Sequence, residues 1–289
     1  TDPSLVKSAA DTMSKFTRRR MREDGIYRRI LPMEPAPTLD RAVDHDLPVV
    51  ICEFESDVPA AMTIPFATLA RKKYLRGQKY LVSFARMTTP EMVKDVVQLR
   101  TWISDLRQIA SDNMIRDLLA EEDRQWLQTC NTVMIGPDVE CHTSGVAQWR
   151  QFSSAVTRDS VAEMLKILPS TPSSLETQKI LVNNITVYDL AKLDRIEMGG
   201  DLAQDVFQRG WAERKLMGKD LIVTIKKALV PTRTFYMFAD PDYCGKSYSL
   251  EETTMFIERK KYFITFSAWQ AIGGAIGNVN SVARCDMDG

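Results

Sequence analysis

Imidazole is nearly absent from this sequence. Only His45 and His142 occur in 289 residues, so a general-base mechanism would rest on one of those two. There is no P-loop, no glycine-rich dinucleotide turn, no His-Glu-x-x-His and no Gly-x-Ser-x-Gly elbow. The common nucleotide-binding, zinc-protease and serine-hydrolase classes therefore lose their signatures. The nearest glycine cluster, Gly273-Gly274 with Gly277, follows a strand and precedes no capped helix, which reads as a strand kink. The acidic runs Glu121-Glu122-Asp123 and Glu251-Glu252 read as solvated faces. The five cysteines, Cys52, Cys130, Cys141, Cys244 and Cys285, are odd in number, dispersed, and form no Cys-x-x-Cys pair. That excludes a disulfide framework and fits folding in a reducing cytoplasm. Cys130, Cys141 and His142 match no standard zinc spacing, so neither a metal nor a cofactor is expected. The thiols read as buried or half-buried. No run of 18 apolar residues exists, so no membrane span is expected. Residues 1–16 are polar and lack the apolar core of a signal peptide. Neither sign of charge dominates: 38 basic residues face 38 acidic ones. That excludes a surface built mainly to coat nucleic acid, and it leaves little self-repulsion in a subunit packed against copies of itself.

What is present is enough apolar residue, 44% of the chain, for one large domain or two modest ones. Residues 4–24 predict a short helix with a basic end: Arg18, Arg19, Arg20 and Arg22 precede Gly25. Such an arm can meet acidic neighbours or nucleic acid, or simply be a solvated terminus. Pro32, Pro35 and Pro37 predict irregular, extended chain. Residues 49–54 and 78–87 read as strands, the second with Tyr80, Val82 and Phe84 on one face. Between them lies a proline-marked segment whose tip carries Arg71, Lys72, Lys73 and Arg76. The two strands form a long hairpin that cannot bury much of its own surface and needs something to lie on.

Thr89-Pro90 reads as a helix start. Met92, Val96, Leu99, Ile103, Leu106 and Ala110 trace one stripe, continued by Met114, Leu118, Leu119 and Leu127. Residues 90–128 therefore predict one long helix, or two in line with a kink near Asn113, spanning about 58 Å at 1.5 Å per residue. Residues 136–218 read as mostly helical. Asp159 is the expected cap of one helix, Thr186-Val187-Tyr188-Asp189 the expected capping box of a second, and Asp201 the cap of a third. After Gly218 the pattern changes to short strands at 221–225, 234–239, 253–257 and 262–266. Long helix, helical middle and late strands make an α+β order rather than the alternation of a parallel-sheet enzyme.

This order of elements resembles the Hong Kong 97-type fold of tailed-phage major capsid proteins. Gly77-Gln78-Lys79-Tyr80-Leu81-Val82-Ser83-Phe84, leading into Thr88-Thr89-Pro90, is similar to that family's hairpin return strand entering its spine helix. Residues 218–224, Pro231 and 235–240 are similar to its run from a central-domain strand through a proline turn to the strand leading out. The resemblance implies an N-terminal arm at 1–25 and an extended hairpin loop at 26–80. It implies a peripheral domain of 81–135 with 243–276 and an axial domain of 136–242 with 277–289. It also implies a structural subunit without catalytic residues, assembling as pentamers and hexamers into an icosahedral virion shell around non-specifically held double-stranded DNA. Portal, scaffold and decoration proteins are the implied partners. Arg18, Arg19, Arg20, Arg22, Arg71, Lys72, Lys73 and Arg76 become candidate contacts between subunits, and Cys52 or Cys285 could pair between subunits once a shell leaves the reducing cell. No residue pattern places the family's covalent Lys–Asn crosslink in this chain. An encapsulin-like compartment with a protein cargo shares the implied fold, and a small soluble enzyme using His142 and Glu121 is the alternative from another class.

Overall fold

The computed structural model describes residues 23–37, 47–55, 63–66, 72, 77–100, 106–135, 148–190 and 215–287. Strand β1 is Glu34–Pro35, β2 Val49–Phe54, β3 Gln78–Thr88, β4 Met92–Asp95, β5 Trp149–Phe152 and β6 Lys179–Asn183. Strand β7 is Lys215–Leu216, β8 Lys219–Thr224, β9 Thr234–Phe238, β10 Gly245–Lys260, β11 Phe263–Ile276 and β12 Val282–Met287. Helix α1 is Tyr27–Ile30, α2 Val96–Arg100, α3 Leu106–Ile135, α4 Arg158–Leu165, α5 Asn184–Leu190 and α6 Pro241–Cys244.

The aromatic and β-branched residues after Gly245 form one long antiparallel pair, β10 with β11, in register from Lys260 opposite Phe263 to Gly245 opposite Ile276. The short strands expected at 253–257 and 262–266 are segments of these two. On its other side β11 takes β3, with Gly273 opposite Phe84, and then β4, with Phe266 opposite Met92. Strand β2 pairs antiparallel with β3, Val50 opposite Val82, and β1 lies parallel on β10. The β2–β3 hairpin expected from sequence is therefore present.

Residues 92–95, expected to open the long helix, form strand β4 instead. The reason is the ladder that Phe263–Phe266 of β11 offers to them, while Pro90, which has no N–H to give, marks the break between β3 and β4. The Thr89 amide donates to Ala268 O (2.8 Å), and Thr89 Oγ1 accepts from the Ala268 amide (3.0 Å). That bond carries the pairing across the break, and Met92 and Val93 resume it. Helix α3 then runs 30 residues, about 45 Å, without interruption at Asn113. Its N-terminal half sets Ala110, Met114 and Leu118 against Met87, Ile264, Phe266, Ala268 and Ile272 of the first sheet. Its C-terminal half sets Trp126, Leu127, Cys130 and Met134 against Leu181, Ile222, Tyr236, Phe238 and Val282 of the second. Each fully buried Leu or Met contributes on the order of 2 kcal/mol.

That second sheet has the order β5-β12-β9-β6-β8-β7, with β6/β8 and β5/β12 parallel. It places strands β5, β6 and β7 within the stretch that sequence predicts as mostly helical. Strand β6 lies inside the sheet because Ile180, Leu181 and Val182 are buried on both faces, which produces a continuous apolar run rather than an alternation. Helix α4 is capped by Thr157, whose Oγ1 accepts from the Ser160 amide, and not by Asp159. Asn183 caps α5 through the Ile185 amide (2.9 Å). Thr186, expected to cap it, instead accepts from the Arg233 amide (2.7 Å), and Asp189 pairs with Arg233 at 3.6 Å. Asp201 lies outside the described residues.

The Gly273-Gly274 step is not a kink. The irregular register falls on β10 between Ser249 and Thr254. The glycines allow close approach: a Cβ at Gly273 would lie 2.7 Å from Ser83 O, and one at Gly274 would lie 2.1 Å from Tyr27 Oη.

Candidate assembly surface

Residues 26–31, expected to belong to the extended loop, are core. Ile26, Tyr27, Ile30 and Leu31 pack with Trp126, Leu127, Cys130 and Phe238. The β2–β3 hairpin is amphipathic. Val50, Cys52, Val82 and Phe84 turn inward on Tyr248, with Tyr80 and Leu250 packed beside them. Ile51 and Leu81, directly opposite each other, turn outward and are exposed, as are Leu47, Ile64 and Phe66. Burial and the Cys52 thiol push the Tyr80 hydroxyl up to about 12.

A second apolar surface closes the far end of the first sheet. Strand pairing brings Met92 and Val93 of β4 and Phe256 and Ile257 of β10 to either side of β11, which begins at Phe263. Tyr262 of the turn and Val97 of α2 adjoin them, and these seven side chains are between 42% and 67% exposed. The turn carries Arg259, Lys260 and Lys261, with Glu258 beside them. Val93, Phe256 and Phe263 share one face of these strands, Met92 and Ile257 share the other, and charges of both signs rim the turn.

Arg18, Arg19, Arg20, Arg22, Arg71, Lys73 and Arg76 lie outside the described residues, as do His45, Cys141 and His142. Lys72 is described and exposed. Cys52, Cys130, Cys244 and Cys285 are buried free thiols, which removes Cys52 and Cys285 as accessible partners for a bond between copies. Burial pushes the Cys285 thiol up to about 12 and raises those of Cys130 and Cys244.

The Glu121-Glu122-Asp123 run is not a solvated face. Glu121 is half-buried and bonded to Arg124, which lowers its carboxyl from the usual range. Glu122 and Asp123 are only 2% and 1% exposed. Glu122 accepts a bidentate pair from Arg28 (3.0 and 3.1 Å) and a bond from Gln270 Nε2 (3.2 Å). Asp123 Oδ1 accepts from the amides of Ile26 and Tyr27 (2.8 Å each), and its Oδ2 pairs with Lys226. At the other end of α1, Lys179 Nζ donates to Arg29 O (2.7 Å) and Ile30 O (3.0 Å). The free amides and carbonyls of this one-turn helix are thus met by side chains about 100 and 150 residues away in sequence. Separation along the chain hid that role: only the periodicity of α3, which turns 122 and 123 inward between Leu118 and Trp126, hinted at it.

No family model matches the sequence, and no curated protein sequence matches it. Solved structures do. A chain of Microbacterium phage Oxtober96 is 8% identical, with a TM-score of 0.69 over 96% of this chain and 98% of that one. A chain from the capsid of an empty GTA particle computed with C5 symmetry is 12% identical, with a TM-score of 0.61 over 97% and 98%. A chain from the capsid of Cyanophage P-SCSP1u is 9% identical, with a TM-score of 0.61 over 95% and 91%. The α+β architecture described above is therefore one that capsid chains adopt, end to end.

Proposed function

We propose that this chain is the major capsid protein of a tailed bacteriophage, a Hong Kong 97-type subunit that assembles into pentamers and hexamers of an icosahedral shell around double-stranded DNA. The observation that carries this reading is likeness over nearly the whole length of both chains to subunits of capsids. An inserted or shared domain would match only in part. The two exposed apolar surfaces support it, because an isolated subunit leaves them in water and a shell covers them. The C5 symmetry of one similar particle supports five-fold rings of copies.

In this reading residues 1–25 are an arm, and the hairpin beyond Ala36 reaches onto a neighbouring subunit. Residues 81–135 with 243–276 form the peripheral domain, and 136–242 with 277–289 the axial domain. Arg18, Arg19, Arg20, Arg22, Arg71, Lys72, Lys73 and Arg76 meet carboxylates of adjacent copies. Each exposed pair is worth only about 0–1 kcal/mol, and symmetry repeats it. The chain acts as a structural subunit rather than a catalyst. It contacts DNA non-specifically, in keeping with its zero net charge, and works with portal, scaffold and decoration proteins. It is a virion component, assembled in the host cytoplasm, and among the described residues no helix is long and apolar enough to cross a membrane.

Electron microscopy of the purified protein under assembly conditions tests this. Closed shells or capsomers are expected, and particles from infected cells should hold DNA. A strictly monomeric protein would refute the reading. Shells loaded with a protein cargo would replace the virus with a compartment.

A further inference from the structure

Resting on the shell reading, we infer that Glu122 and Asp123 are positioning residues that set the angle between the two sheets, and with it the curvature at which copies close. Helix α3 leaves the first sheet after Leu118 and joins the second at Trp126. The two carboxylates sit at that crossover. Glu122 holds the first sheet through Gln270 of β11, whose Oε1 accepts from Thr253 of β10 (2.9 Å). Asp123 holds the second through Lys226, two residues past β8. Both also hold α1, by the Arg28 fork and the amides of Ile26 and Tyr27. Just before α1, Glu23 Oε2 accepts from Thr224 Oγ1 (2.8 Å) and the Ile225 amide (3.0 Å), gripping the same strand end.

Apolar packing on either half of α3 is non-directional, so a small rotation of one sheet keeps most of its area buried. Charge-assisted bonds are short and directional, and a rotation breaks them. Buried ion pairs contribute little net stability, so their place at the crossover is better explained by selection of one geometry. In a shell, each subunit repeats that angle, and a small change accumulates into a different particle radius.

The test is assembly of the full chain carrying Glu122→Gln, Arg28→Lys or Lys226→Met, with Leu127→Ala as a comparison that weakens the core without touching these bonds. Arg28→Lys keeps the test open if Glu122→Gln does not fold, because the Arg28 side chain is 40% exposed. Folding is checked by circular dichroism and particle diameters by electron microscopy. The expected result is a broadened or shifted diameter distribution, with open or tubular forms, for the three variants, and unchanged diameters for Leu127→Ala. Folded Arg28→Lys, Lys226→Met and Glu122→Gln proteins that all close at the unaltered diameter would overturn the inference, as would equal broadening by Leu127→Ala. Failure of the unaltered protein to assemble would instead overturn the shell reading.

Discussion

Replacing Gly274 by alanine should be among the most damaging single-methyl changes in this chain. The backbone there is ordinary extended strand in register with Ser247, so alanine meets no conformational penalty and the whole cost is steric. Its Cβ would lie 2.1 Å from Tyr27 Oη and 3.3 Å from Tyr27 Cζ. Tyr27 cannot easily retreat. Its hydroxyl donates to Ser247 Oγ (2.7 Å), its ring packs on Trp126 with centroids 4.6 Å apart, and its amide is held by Asp123. Overpacking of this kind costs about 1–3 kcal/mol, and losing the buried hydroxyl bond adds about 0.5–1.5 kcal/mol. Gly274→Ala should therefore cost about 2–4 kcal/mol. Tyr27→Phe alone strands the buried Ser247 hydroxyl, at about 1–3 kcal/mol. Combined, the two should cost less than their sum by about 1–2 kcal/mol, because the atom nearest the new methyl is gone. Urea unfolding of the unassembled protein, followed by tryptophan fluorescence, measures each value. Strict additivity, or a Gly274→Ala cost below about 0.5 kcal/mol, the usual range for harmless surface changes, would refute the steric account.

Three other outcomes are expected. Phe256→Ser with Phe263→Ser should leave the melting temperature of the unassembled protein nearly unchanged, since both side chains are exposed, yet abolish shell assembly seen by electron microscopy; retained assembly would remove the tip as an interface. Cys52, Cys130, Cys244 and Cys285 should resist a maleimide in the native protein and react only on unfolding, as read by mass spectrometry. Stability should fall at alkaline pH: an ordinary cysteine thiol titrates near 9.0 and that of Cys285 is pushed up to about 12 in the fold, so the unfolded chain loses that proton first. Its contribution is complete below about pH 9 and declines by at most about 1.4 kcal/mol per pH unit toward pH 12. Cys285→Ala should flatten that slope in unfolding titrations, and an unchanged slope would assign the loss elsewhere, Tyr80 being the next group to examine.

Local order was legible in residue pattern alone. Strands 49–54 and 78–87, the long helix through Met114 and Leu118, and the strand-rich end all follow from periodicity, since an alternating or 3.6-residue stripe can bury only one face. So was their sequence along the chain, which carried the resemblance to capsid subunits. What residue pattern could not supply was anything that depends on a partner far away in the chain. Residues 92–95 match a helical stripe as well as a strand, and only the ladder offered by β11 decides between them. Strand β6 looks like part of a helical region until β8 and β9 flank it. Glu122 and Asp123 look like solvent-facing charges until Arg28, Gln270 and Lys226 arrive from three other segments to surround them. Burying a carboxylate is unfavourable unless its counter-charges and donors are in place, and their placement is a property of the assembled tertiary fold, which no local window of sequence contains.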